Sequence, residues 1–178
     1  MSDPEAVARG LCLRALTGAP KTRQQLADLL TKRGVPESAA VAVLDRFGEV
    51  GLIDDAAFAR AWVSSRQSGR GLARRALTAE LRAKGVDPEV AAQAVEAVDD
   101  EDERAAARLL VERRLRGMSG LDRTTASRRL IGMLARKGYG GGLAAAVVRE
   151  ALDHAPPAET GESYEADAFP AGEDALLP

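Results

Sequence analysis

The residues able to do chemistry are few. One histidine (His154) and one cysteine (Cys12) lie about 140 positions apart in the 178-residue chain, which suggests no nucleophile–base pair. A lone thiol cannot close an internal disulfide or build a zinc site. The glycines from Gly138 to Gly142 lack the Lys-Ser/Thr that completes a phosphate loop. Two acidic groups, Asp54–Asp55 and the run Asp99–Glu103, would bind a metal only if their ligands converged on one point. Each opens an apolar periodic segment, where a carboxylate caps free amide hydrogens and meets the positive end of the helix dipole. Asp54 is therefore read as a cap and Asp55 as a first-turn residue. Neither catalysis nor a cofactor is expected.

The chain is rich instead in guanidinium groups. Lys and Arg total 25, of which only four are Lys. Six acids (Glu159, Glu162, Glu165, Asp167, Glu173, Asp174) and no base follow residue 155, which leaves 25 basic against 21 acidic residues in 1–155. The whole-chain charge of −2 thus hides a body of +4. Ten basic residues fall between Arg104 and Lys137, against Glu112 and Asp122 alone. A second cluster, Arg66, Arg70, Arg74, Arg75, Arg82 and Lys84, encloses only Glu80. Arg70 and Arg74 are four apart, as are Arg104 and Arg108, so each pair can share a helix face. Such a face would attract phosphate oxygens or an acidic protein surface. Stacking on single strands is not expected, because aromatics are only 3% of the chain and Phe58 and Trp62 are assigned to the core.

Helices must position these groups. Ala, Leu, Arg and Glu dominate while β-branched and aromatic residues are scarce, a composition that favours helix over sheet. Leu26, Leu30, Arg33, Gly34 recur 51 residues later as Leu77, Leu81, Lys84, Gly85, and after another 53 as Leu130, Leu134, Lys137, Gly138. A following stripe, Ala40, Val43, Leu44, Phe47, recurs as Ala91, Ala94, Val95, Val98 and as Ala144, Val147, Val148, Ala151. Apolar residues at i, i+3, i+4, i+7 form one helix face, and their recurrence marks an array of similar units.

Each unit reads as three helices: about 5–17, 22–33 and 37–47; then 54–67, 71–84 and 88–98; then 102–116, 123–137 and 143–153. Val7/Leu11, Phe58/Trp62 and Val111/Leu115 align at the same two offsets as the first-helix apolar pairs. Thr22 with Gln25 forms a capping box. Gly34, Gly85 and Gly138 end the second helices, where a positive φ suits glycine. Gly71 is placed at the start of a helix. The expected division is 1–50, 51–99 and 100–155, with an acidic tail at 156–178. That tail carries four of the eight prolines and no helical stripe, and reads as disordered. No stretch approaches the ~20 apolar residues of a membrane helix, and no signal-peptide pattern opens the chain. A soluble cytoplasmic protein is expected.

The string Gly51-Leu52-Ile53-Asp54-Asp55-Ala56-Ala57-Phe58-Ala59-Arg60-Ala61-Trp62-Val63 resembles the central motif of the RecX family of recombination regulators. The following Arg66, Arg70-Gly71, Arg74, Leu77, Glu80-Leu81 and Lys84-Gly85-Val86 extend the likeness, which spans roughly residues 5–153. The resemblance implies an all-α, elongated array of three three-helix units, without enzymatic activity. It also implies a monomer whose partners are the RecA recombinase filament and single- or double-stranded DNA. Such a regulator lies in the filament groove and inhibits ATP hydrolysis, strand exchange and the co-protease activity behind the SOS response. On that reading Arg66, Arg70, Arg74, Arg75, Lys84, Arg128, Arg129 and Lys137 face the filament. Asp54, Asp55, Phe58, Trp62, Gly34, Gly71, Gly85 and Gly138 carry the fold. From the residues alone, an independent DNA-binding module or transcription regulator using helix-turn-helix pairs is the alternative.

Overall fold

A computed structural model describes residues 3–155; the acidic tail lies outside the described residues. Nine α-helices and no strands occur among them. They are α1 (Pro4–Gly18), α2 (Arg23–Lys32), α3 (Glu37–Glu49), α4 (Asp55–Arg70), α5 (Arg74–Ala83), α6 (Pro88–Glu96), α7 (Asp100–Leu115), α8 (Arg123–Arg136) and α9 (Gly141–His154). Every extensive helix–helix contact lies within the triplets α1–α3, α4–α6 and α7–α9.

Each triplet closes over its own apolar cluster. Leu26 and Leu30 centre the first, Leu77 and Leu81 the second, and Leu130 and Leu134 the third, all six fully buried. Removing any of these leucines to alanine deletes buried methylenes and leaves a cavity, a loss of about 2–5 kcal/mol. Local signals set the ends. Thr22 and Gln25 make the full capping box, and Asp54, Asp99 and Asp122 each accept an amide hydrogen three residues on. Gly34, Gly85 and Gly138 all adopt positive φ just past the second helices.

Three expectations are corrected. Gly71 does not begin a helix: at φ 59° it ends α4 in the left-handed conformation, and α5 starts only at Arg74. α9 begins at Gly141, inside the glycine run rather than after it, with Gly140 as its N-cap. α1 and α4 bury residues one position beyond the expected pairs, while α7 buries Val111 as expected but with Ala107, one turn before it, rather than Leu115. Ala8/Cys12, Ala59/Val63 and Ala107/Val111 point inward, while Val7 is 43% exposed. These pairs repeat at 51 and then 48, not 51 and 53. The difference of five is an insertion between α7 and α8, whose connection spans 116–122 where α4 and α5 are joined by 71–73.

The units meet at helix ends. The Thr22 hydroxyl at the start of α2 donates to the Lys84 carbonyl at the end of α5 (2.6 Å). The Ala73 amide at the start of α5 likewise donates to the Lys137 carbonyl at the end of α8 (3.0 Å). The middle helices therefore run α8, α5, α2 head to tail, each positive N-terminus against a negative C-terminus. Acids from the following unit complete both junctions: Asp55 Oδ1 accepts the Arg23 amide and Glu103 Oε1 the Arg74 amide, each at 2.9 Å. Donor and acceptor occupy equivalent places, Arg23 and Arg74 at the offset of 51, Asp55 and Glu103 at 48.

Candidate binding surface

The cations divide into those engaged within the fold and those facing outward. Arg74 is engaged: its guanidinium pairs with Glu103 (3.1 Å) and Asp100. The hydrogen bond it donates to Asp100, reinforced by Glu103, pushes its pKa up. Arg66 lies 3.5 Å from Glu80, and its guanidinium carbon is 4.1 Å from the Trp62 ring centroid. The Lys84 ammonium is also 4.1 Å from that ring. Trp62 completes the cluster by stacking on Phe58 and donating its indole N–H to Glu80 (2.8 Å). Both aromatics pack against the core of the second unit yet stay partly exposed, because two cations and a carboxylate hold the indole at its edge.

Lys137 is engaged as well. Its ammonium donates to the Arg70 carbonyl at the end of α4 (2.7 Å), and the Tyr139 hydroxyl donates to the Gly71 carbonyl (2.8 Å). Arg104 and Arg108 both pair with Glu150, and the hydrogen bond from Arg108 draws that carboxyl's pKa down. Arg70, Arg75, Arg128 and Arg129 are exposed and take part in no ion pair among the described residues. Arg75 and Arg128 hold the same place in α5 and α8; the equivalent residue in α2 is Gln24. The first unit also carries exposed cations outside any ion pair among the described residues, Arg9, Arg14, Lys32 and Arg33, so outward charge occurs in all three units. The sequence reading missed Glu103, Glu150 and Tyr139, whose partners lie 29 to 68 residues away and leave no local signature.

No group of three or more His, Cys, Asp or Glu able to hold a metal occurs among the described residues. The Asp99–Glu103 run is divided between the α7 cap, the Arg74 ion pairs and the α5 N-terminus. Among the described residues no helix is long and apolar enough to cross a membrane.

Tyr139 offers a direct probe of the junction between the second and third units. Burial, with the Glu103 charge adding to it, pushes its phenol up to about 12. The unfolded value is about 10. The folded state thus holds the proton more tightly, and the stabilisation is full below pH 10 and is lost as pH rises toward 12. In a Tyr164→Phe background, which leaves one tyrosine, absorbance at 295 nm should titrate near 12 in native protein and near 10 in denaturant. Titration near 10 in both would place the phenol in water.

Three short helical units, joined end to end through their middle helices and carrying outward arginines, define a tandem helical-repeat protein. Models of the three RecX three-helix domains match it in order, the first at residues 8–47, the second at 54–95 and the third at 100–148. The chain belongs to the RecX family. It is 58% identical over 163 residues to Regulatory protein RecX of Streptomyces lividans, covering 92% of this chain and 84% of the relative. With the Thermobifida fusca protein of that name the identity is 56% over 151 residues, covering 85% and 82%. With the Mycobacterium tuberculosis protein it is 48% over 151, covering 83% and 87%. The crystal structure of RecX from Lactobacillus salivarius superposes with a TM-score of 0.78 at 18% identity, covering 85% of this chain and 98% of that one, which shows the shared fold.

Proposed function

We propose that this RecX-type regulator acts without catalysis by binding the RecA recombinase on its DNA filament. There it inhibits ATP hydrolysis, strand exchange and co-protease activity. The observation that carries the reading is the pair of exposed arginines, Arg75 and Arg128, unpaired among the described residues and at matching places in the second and third units, on a chain whose family is regulatory. Separate weak contacts from linked units act in concert through effective concentration, which suits a partner that is itself a repeating polymer.

The test is RecA ATPase on single-stranded DNA, titrated with this protein at fixed salt beside an unrelated DNA-dependent ATPase. Selective inhibition of RecA, well below one regulator per recombinase subunit, is the expected result. Equal inhibition of both enzymes, only near DNA saturation, would replace the proposal with simple competition for DNA by an independent binding module.

Charge reversal at Arg75, Arg128 and Arg129 to Glu should raise the half-inhibitory concentration roughly tenfold or more, since each reversal removes a cation and adds a repulsion. The helical spectrum should not change. Arg74 is left out because its reversal would set a carboxylate against Glu103 and Asp100 and open the fold. Unchanged potency would remove this surface from the proposal.

A further inference from the structure

Among the described residues, nothing equivalent to the covers of the first two units lies over the end of the third. In the first unit the N-terminus of the middle helix is covered by Lys84 and Gly85 of the second, and in the second by Lys137 and Gly138 of the third. The corresponding end of the third unit faces a groove of about 1200 Å³. Leu115, Met118, Leu121, Ala126 and Leu152 supply its apolar lining, and the five-residue insertion between α7 and α8 contributes Met118 and Leu121.

We infer that this groove is the docking site of the chain's own C-terminal segment, residues 165–177. The proposal does not rest on the recombinase reading. The groove exceeds the ~300–1000 Å³ of typical small-molecule sites, and suits several side chains of a peptide. The chain leaves the fold at Ala155, itself part of the lining. Phe169 follows 14 residues later and Leu176–Leu177 some 21 later, well within reach at up to ~3.5 Å per residue. Charge agrees: Arg123 at the groove is neutralised by Asp153, but Arg116 is exposed and in no ion pair among the described residues, and residues 156–178 carry acids and no base.

A second copy fits poorly. α8 begins one turn before the place equivalent to the α2 and α5 starts, and Asp122 caps it from within, so the extra turn occupies the space a neighbouring helix end would take. Among the described residues the comparable free end, past α2, carries Lys32 and Arg33 and would meet Arg116 with like charge.

Cysteines placed by Ser119→Cys and Ala168→Cys in the full chain test this under oxidised glutathione, with mass spectrometry to locate the disulfide. Cys12 is buried and its thiol pKa is raised by that burial, which keeps it slow to react. Intramolecular 119–168 crosslinking should fall at least tenfold when Phe169, Leu176 and Leu177 are all changed to Ser. These changes lie outside the described fold. An unchanged rate would mean that tethering alone brings the two positions together, and would overturn the proposal. Crosslinks between copies that grow with protein concentration, at the expense of the intramolecular one, would overturn it in favour of a second copy.

Discussion

Gly138→Ala should cost about 3 kcal/mol or more, and Gly34→Ala only about 1–2, although both glycines follow the same helix with positive φ. The backbone penalty is common to the two. What differs is the neighbour. A Cβ on Gly34 meets nothing within 4 Å. A Cβ on Gly138 would stand 2.7 Å from both the amide nitrogen and the Cβ of Ala76, in the first turn of α5. Backbone cannot swing aside as a side-chain tip can, so the end of α8 must back away from α5. That movement stretches the Ala73 amide to Lys137 carbonyl bond and the Tyr139 hydroxyl to Gly71 bond. Overpacking adds ~1–3 kcal/mol to the φ cost. Gly85→Val should also act through the fold, since a Cβ there lies 2.3 Å from Gln24 Cβ. Urea denaturation followed by circular dichroism separates the cases. Equal losses for Gly34→Ala and Gly138→Ala would mean that the units do not abut at these glycines.

The same distinction marks how far the sequence could be read. The Leu–Leu–Gly signature and the capping box are local: their residues lie within one or two turns of each other, and the helices they predict are present at Leu26–Leu30, Leu77–Leu81 and Leu130–Leu134. Periodicity placed the first helices but misread the buried face of α1 and α4, because Val7 and Phe58 are larger and more apolar than Ala8 and Ala59 beside them. The array buries the small Ala8, Ala59 and Ala107 instead, where α1, α4 and α7 approach their neighbours closely. Gly71 was read as opening a helix because nothing nearby distinguishes a glycine that ends one helix from one that begins the next. Its left-handed φ caps α4, and it abuts the third unit, whose Leu110 side chain would lie 3.0 Å from an added Cβ. Charge was the least legible feature. Arg74 and Arg75 are adjacent and chemically identical in the sequence, yet one is held by Glu103 and the other faces solvent. Only the packing of α7 against the start of α5 decides which.

Glu103 concentrates these effects in one side chain, and Glu103→Ala should lower stability by about 2–4 kcal/mol. Its carboxylate is 13% exposed and does two things at once. Oε1 caps α5, whose own N-cap is Ala73 and has no side-chain oxygen to offer. Loss of such a cap costs about 1 kcal/mol. Oε2 accepts from the Arg74 guanidinium at 3.1 and 3.3 Å. Without it Arg74 keeps only Asp100, an exposed partner worth at most ~1 kcal/mol. Asp55→Ala removes the equivalent cap in the preceding unit without an ion pair to the same arginine, and should cost only about 1 kcal/mol. Glu103→Gln separates cap from charge, because the amide oxygen can still accept the Arg74 amide hydrogen. It should recover part of the stability lost in the alanine variant. Its removal of the negative charge should also let Tyr139 ionise at a lower pH than in the parent, since that charge helps hold the phenol up. Urea midpoints for the three variants, with the 295 nm titration of the glutamine variant, measure all of this together. If Glu103→Ala were no worse than Asp55→Ala and the phenol did not move, the two junctions would be energetically alike, and the ion pair would add nothing to the link between the second and third units.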